Sequence, residues 1–181
     1  MAVRLAFHDA GEVDLNAVNG TDILGSDGCL SNSDANAGLI EPNSLVNTVI
    51  EPAWQSVCDR ISRADFWVLY AILILQRAEP TGVMTIPFQY GRRDSHSCEA
   101  GASRLPNAQL GLDEFMRVFV TQMGLTMHDA VVLLGAHTVG HVHPEVSGYG
   151  KPNADTNVTI NAFDQTPGDI GLLILPDVFY S

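Results

Sequence analysis

Twelve residues from Ala64 to Leu75, reading ADFWVLYAILIL, form the most apolar window of the chain. A membrane-spanning helix needs about 20 such residues. The run is therefore too short to cross a bilayer, and it predicts a helix over Arg63 to Glu79, buried in a protein core and stopped by Pro80. A helix apolar on so many sides needs partners around it, and the remaining sequence offers several. Val3 to Ala10 reads as a short helix, and Leu39 to Ile61 has helical spacing interrupted near Pro52. Phe115, Val118, Phe119 and Met123 fall on one face of a helix over Asp113 to Met123, which Gly124 ends. Thr126 can cap a further helix with Asp129 three residues on, and Gly140 is its expected stop. The stretches Asp14 to Asn36 and Thr81 to Gln109 are rich in turn formers and read as loops. Beyond Gly140 the chain turns polar and turn-rich, and the tail IGLLILPDVFYS reads as a short strand or a collapsed segment. The expected fold is mostly α with long ordered loops, in a single domain over residues 1–181.

Composition removes some functions. With 46% hydrophobic residues the chain is not disordered. Nine Lys and Arg face 21 Asp and Glu, a net charge of −12, which argues against nucleic acid and against an anionic membrane surface. A cation, either a bound metal or a positively charged substrate, suits that charge better, although most of the acids read as ordinary solvated surface. Cys29, Cys58 and Cys98 allow at most one intramolecular disulfide and leave one thiol over. Met1 to Arg4 lacks the apolar stretch of a signal peptide. The sequons at Asn19 and Asn157 are compatible with secretion.

Arg4 and His8 are four residues apart, which puts both on one helix face with Phe7 beside them. A neutral imidazole can take a proton from one peroxide oxygen and return it to the other. A neighbouring guanidinium can stabilise charge on the departing oxygen. The plainer reading of the pair is a surface Arg–His contact. His137 lies on the helix opened by Thr126, and its helical neighbours Ala130, Leu133 and Leu134 are apolar. An imidazole there can be an axial ligand of haem iron or a satisfied core histidine. It can also join His141 and His143 in a zinc site.

The strings around these residues decide between the readings. Arg4-Leu5-Ala6-Phe7-His8-Asp9 resembles the distal-helix signature of the plant, fungal and bacterial haem peroxidase superfamily. Leu133-Leu134-Gly135-Ala136-His137-Thr138-Val139-Gly140 resembles its proximal-helix signature. Gly91-Arg92-Arg93-Asp94-Ser95 and Arg104-Leu105-Pro106-Asn107-Ala108 resemble family strings in the same order, and the resemblance runs from about Arg4 to Pro167. It implies the helical haem peroxidase fold, with distal and proximal helices sandwiching haem b. It implies a peroxidase that reduces hydrogen peroxide while oxidising small organic donors by one electron at a time. Arg4, His8 and Asn36 would be catalytic, with Asn36 accepting a hydrogen bond from His8. Phe7 would line the distal pocket, and His137 would ligate the iron.

The resemblance also implies cation sites of the secreted branch. Asp9, Gly25 and Asp27 match a distal calcium loop, but Cys29 stands where that loop has serine, and sulfur is a poor calcium ligand. A plain acidic turn is an equal alternative. Thr138, Asp164 and Thr166 match a second cation loop. Phe7, the calcium-like loop and the sequons lean toward a secreted protein. In the ascorbate-using branch an arginine follows the proximal histidine by nine residues. Here that position is Val146, and a tryptophan used with cytochrome c is replaced near Asn153, so neither donor is expected. Family members have a helix before the distal one and several after the proximal loop. The expectation is a chain truncated at both ends with an incomplete C-terminal part. The alternative to an active enzyme is a non-catalytic remnant that binds haem or a divalent cation.

Overall fold

The computed structural model describes residues 1–17, 24–107 and 110–138, and for residues 100, 137 and 138 the backbone alone. The described residues form helices, turns and irregular segments and no strand. The helices are α1 (Ala2–Gly11), α2 (Glu51–Gln55), α3 (Arg63–Ala78), α4 (Leu112–Phe115) and α5 (Met127–Leu134). Wider π turns lead into α2 over Val46–Ile50 and continue α4 over Met116–Gln122. The tail and the stop expected at Gly140 lie outside the described residues. Two compact units divide the chain: Met1–Pro106 with Thr121–Met123, and Asn107–Val120 with Gly124–Ser181.

In the first unit α1 packs on α3. Leu5, Leu39, Val46, Ile50 and Trp67 form the buried cluster, with Leu30, Phe66 and Tyr70 against it. Helix α1 turns Ala2, Leu5 and Asp9 inward at i, i+3 and i+7. Arg4, Phe7 and His8 are therefore carried off the core on the remaining face. Leu5 is fully buried, so Leu5→Ala is expected to destabilise the chain by about 2–5 kcal/mol, measurable by urea unfolding.

Helix α3 begins where the Ser62 hydroxyl accepts the Asp65 N–H at 3.1 Å. Asp94 takes the two preceding orphan donors, Arg63 N–H and Ala64 N–H, each at 2.9 Å. The Asp65 carboxylate in turn accepts Gly91 N–H and the Arg92 guanidinium. The string Gly91 to Ser95 is thus the clamp on the start of α3. Only part of α3 is the core helix that its composition predicts. Ala64, Trp67 and Ala71 are buried, but Leu73, Ile74 and Leu75 are exposed. A ten-residue helix, about 15 Å long, cannot cover one of 16 residues, about 24 Å long.

In the second unit Phe115 and Phe119 pack with ring centroids 5.1 Å apart, and both are buried with Val118. Thr126 caps α5 by accepting the Asp129 N–H at 3.1 Å. A 3-10 turn over Gly135–Thr138 continues that helix.

Candidate active site

His8 Nδ1 lies 2.8 Å from Asn36 Oδ1. Asn36 sits in a 3-10 turn, Asp34–Asn36, within the long loop after α1, and is completely buried. Its amide nitrogen donates to Glu12 Oε1 at 2.9 Å and to the Ser31 carbonyl at 2.9 Å. A carboxylate and a carbonyl only accept, so the amide cannot turn over, and Oδ1 must face His8. The Nδ1 of a neutral His8 must then carry the proton, and Nε2 is the basic nitrogen. Arg4 Nε donates to that Nε2 at 3.2 Å, and Arg4 also donates to the Ala35 carbonyl at 3.2 Å. Desolvation draws the Arg4 pKa below the ordinary guanidinium value and Glu41 opposes it, and a guanidinium remains a cation through such changes. The Phe7 ring meets the His8 ring nearly edge-on, with centroids 6.0 Å apart.

The loop after Asp9 is held to α1 by the Asp9 side chain. The buried Asp9 carboxylate accepts Gly28 N–H at 3.1 Å and Cys29 N–H at 3.2 Å. Gly28 has φ +71°, and a Cβ there would come within 2.7 Å of the Ala64 nitrogen, so only glycine fits. Cys29 is joined to Cys98 by a disulfide with Cα atoms 5.5 Å apart. Gly25 and Asp27 lie on the same loop, which Ser95 N–H ties down through the Asp27 carbonyl at 2.8 Å. Among the described residues no three His, Cys, Asp or Glu side chains gather as a metal site.

Burial raises the Asp9 pKa to about 8, outweighing the backbone donors that lower it, and Asp27 adds to the rise. The folded chain therefore holds a proton that the unfolded chain, with a carboxyl near 3.8, releases. That contribution to stability is fully present below pH 3.8 and is lost as pH rises through about 8. The unfolding temperature of the metal-free protein is expected to decline across this window, and Asp9→Asn should flatten the decline. An Asp9→Asn profile as steep as the wild type would refute the assignment to Asp9.

His137 and Thr138 lie on the Gly135–Thr138 turn with only their backbones described. Asp164, Thr166, His141, His143, Val146 and Asn153 lie outside the described residues. Glu12 and Ser31 are participants that the sequence alone did not point to. A signal for Glu12 was present: Arg4, His8 and Glu12 recur every four residues along one helix face.

A peroxidase family model matches residues 1–166 of the 181. The chain belongs to the haem peroxidase family. It is 35% identical over 154 residues to cytosolic L-ascorbate peroxidase 1 of Oryza sativa subsp. indica, covering 84% of the chain and 58% of that relative. It is 36% identical over 155 residues to L-ascorbate peroxidase 3 of Arabidopsis thaliana, covering 83% of the chain and 49% of that relative. With the probable peroxisomal L-ascorbate peroxidase 4 of Oryza sativa subsp. japonica it shares 36% over 152 residues, 81% of the chain and 47% of the relative. The chain thus spans about half the length of the curated peroxidases it matches. The mostly α architecture is that of the haem peroxidase fold, and haem is the cofactor of the family. No described helix of this peroxidase chain is long and apolar enough to cross a membrane.

Proposed function

We propose that this chain carries the distal and axial-ligand helices of a haem b peroxidase, which reduces hydrogen peroxide at the expense of a small organic donor. The observation that supports it is the Arg4–His8–Asn36 arrangement, in which the amide fixes the imidazole and the guanidinium sits on its basic nitrogen. The distal residues fit a flat iron macrocycle: Arg4, Phe7 and His8 stand together on the face of α1 that leaves the core. His137 is the residue that would hold the iron, and residues 1–181 would form one domain around it. Bound haem supplies the iron through which electrons pass from donor to peroxide.

The protein's own part is proton handling and charge. His8 Nε2 would take a proton from one peroxide oxygen and return it to the other, which would leave as water when the O–O bond breaks. Arg4 stabilises the negative charge that builds on that departing oxygen. Asn36 keeps the proton of His8 on Nδ1 throughout, and the Phe7 ring restrains the imidazole from one side.

Val146 spoke against ascorbate as donor, but the relatives are named for ascorbate. Ascorbate therefore becomes the first donor to try, and a phenol the second. The distal loop supports the acidic turn over calcium, because Cys29 is committed to a disulfide and the Asp9 oxygens to backbone donors. The lean toward secretion gains from that disulfide and loses from relatives whose names place them in cytosol and peroxisome.

Haemin titration tests the reading. A one-to-one Soret band and peroxide-dependent consumption of ascorbate, faster than that of a phenolic dye, are expected. No Soret band, or a band without turnover of either donor, would end the enzyme assignment for this chain.

A further inference from the structure

Gly38 and Glu41 follow the turn that carries Asn36. Gly38 has φ +84°, in the left-handed region that favours glycine. Its N–H donates to Glu41 Oε2 at 2.7 Å, so the half-buried glutamate reaches back three residues and holds that conformation. That N–H is the largest of the influences that keep the Glu41 carboxyl below its ordinary pKa, and Arg4 adds to it. Before Gly38 the backbone ties the turn itself, with Ala37 N–H donating to the Asp34 carbonyl at 3.1 Å. The guanidinium of Arg4 meets this turn twice. Nη2 donates to the Ala35 carbonyl at 3.2 Å. Nη1 lies over Gly38, where an added Cβ would stand 3.2 Å from it. Nε meanwhile donates to His8 Nε2. Among the described residues no carboxylate lies within 4.0 Å of Arg4, so Glu41 and Arg4 attract each other from beyond that distance.

We propose that Glu41 is a positioning residue for Arg4: by holding the Gly38 N–H it sets the turn whose Ala35 carbonyl and bare Gly38 backbone seat the guanidinium beside His8, and its charge draws Arg4 into that seat. A long arginine side chain that lacks such a seat turns its head toward water. Without the Glu41 side chain, the Gly38 N–H loses its partner and the end of the turn is free to move. The Ala35 carbonyl and the Gly38 surface then no longer meet the guanidinium together. Asn36 is anchored separately, to Glu12 and the Ser31 carbonyl, so a change at Glu41 acts on Arg4 and leaves the Asn36 amide in place. A guanidinium displaced from this seat is also displaced from the charge that it is there to stabilise. The proposal rests on the reading of Arg4 as the group beside the departing oxygen, but the seat itself can be observed without haem.

Nitrogen-15 NMR of the full, haem-free chain follows the Arg4 Nε–H signal, assigned with Arg4→Lys, and reads its exchange with water against that of the exposed Arg77. In the wild type Arg4 should exchange about tenfold more slowly than Arg77. Glu41→Ala should bring Arg4 close to the Arg77 rate. Glu41→Gln, whose amide oxygen can still take the Gly38 N–H, should keep most of the protection. Gly38→Ala, which leaves every charge in place but strains the turn and crowds Nη1, should behave as Glu41→Ala does. Wild-type protection in Glu41→Ala or in Gly38→Ala overturns the proposal, as does a Glu41→Gln that loses as much as Glu41→Ala. If Gly38→Ala does not fold, the two Glu41 variants decide alone. Loaded with haem, Glu41→Ala should react with peroxide up to about 100-fold more slowly, with haem uptake unchanged and Glu41→Gln near the wild type. A wild-type peroxide rate in Glu41→Ala whose Arg4 signal has lost its protection would sink the reading of Arg4 in the reaction and leave the seat standing.

Discussion

Haem-loaded His8→Leu is expected to react with hydrogen peroxide about 100- to 10,000-fold more slowly than the wild type, the span that a positioned general acid–base group contributes. The loss should fall on the peroxide step and leave haem uptake intact, because the proposed iron ligand is His137 and not His8. Stopped-flow mixing with peroxide under single-turnover conditions separates the two. The Soret absorbance before mixing reports uptake, and its first change after mixing reports the step in which His8 moves a proton. A His8→Leu protein that reacts at the wild-type rate would remove His8 from the mechanism, whatever the family likeness. A protein that no longer takes up haem would show that His8 serves the pocket's structure instead.

The second large effect concerns the Cys29–Cys98 disulfide. It closes a loop with a sequence separation of 69 residues. In the chain-entropy account such a loop is worth about 4 kcal/mol. At this chain length that corresponds to a melting temperature lower by roughly 10 °C in the Cys29→Ser, Cys98→Ser double variant. Dithiothreitol should lower the wild-type melting temperature by a similar amount and leave the double variant unchanged. A thiol assay under denaturing conditions should count one group before reduction, the exposed Cys58, and three after it. Three reactive thiols in protein never exposed to a reductant would show that the bridge does not form in the source compartment. That result would favour the cytosolic company of the relatives over secretion.

Much of the helical content was legible because local chemistry governs it. Thr126 announced the start of α5, and Pro80 the end of α3, through capping and breaking rules that need no tertiary information; the Ser62 cap on α3 obeys the same rule and was not picked out. Phe115, Val118 and Phe119 carried a helical period, and the wider π turn that follows Phe115 leaves all three buried. The segment from Leu39 to Ile61 was harder. Its spacing predicts a long helix, but only Val46–Gln55 is helical, in two winding states. Ser44 donates to the Leu39 carbonyl and Asn47 to the Ile40 and Glu41 carbonyls, so side chains hold the backbone of the first stretch in a turn. Pro52 sits in the first turn of α2, where proline is tolerated, and does not interrupt the helix.

The site was legible where it is contiguous. Arg4, Phe7, His8 and Asp9 lie on one helix, and their spacing alone brings Arg4 and His8 together. Asn36 was found through a matching string. Its orientation depends on Glu12 and Ser31, which meet only when the long loop folds back on α1. No short-range pattern encodes that return. The disulfide was hidden for a related reason: three cysteines allow three pairings, and only the packing of the Gly25–Cys29 loop beside residues 95–98 selects one.

Thr121–Met123 belong to the first unit although 14 residues of the second come before them. Leu15 N–H donates to the Gln122 carbonyl, the Asn16 amide to the Thr121 carbonyl, and the Gln122 amide to the Arg104 carbonyl. During synthesis, then, the first unit is not finished when Pro106 leaves the ribosome. It waits for a strip of chain that emerges after residues 107–120. An excised leading half, residues 1–106, would therefore lack the strip whose carbonyls take the Leu15 N–H and the Asn16 amide just after α1.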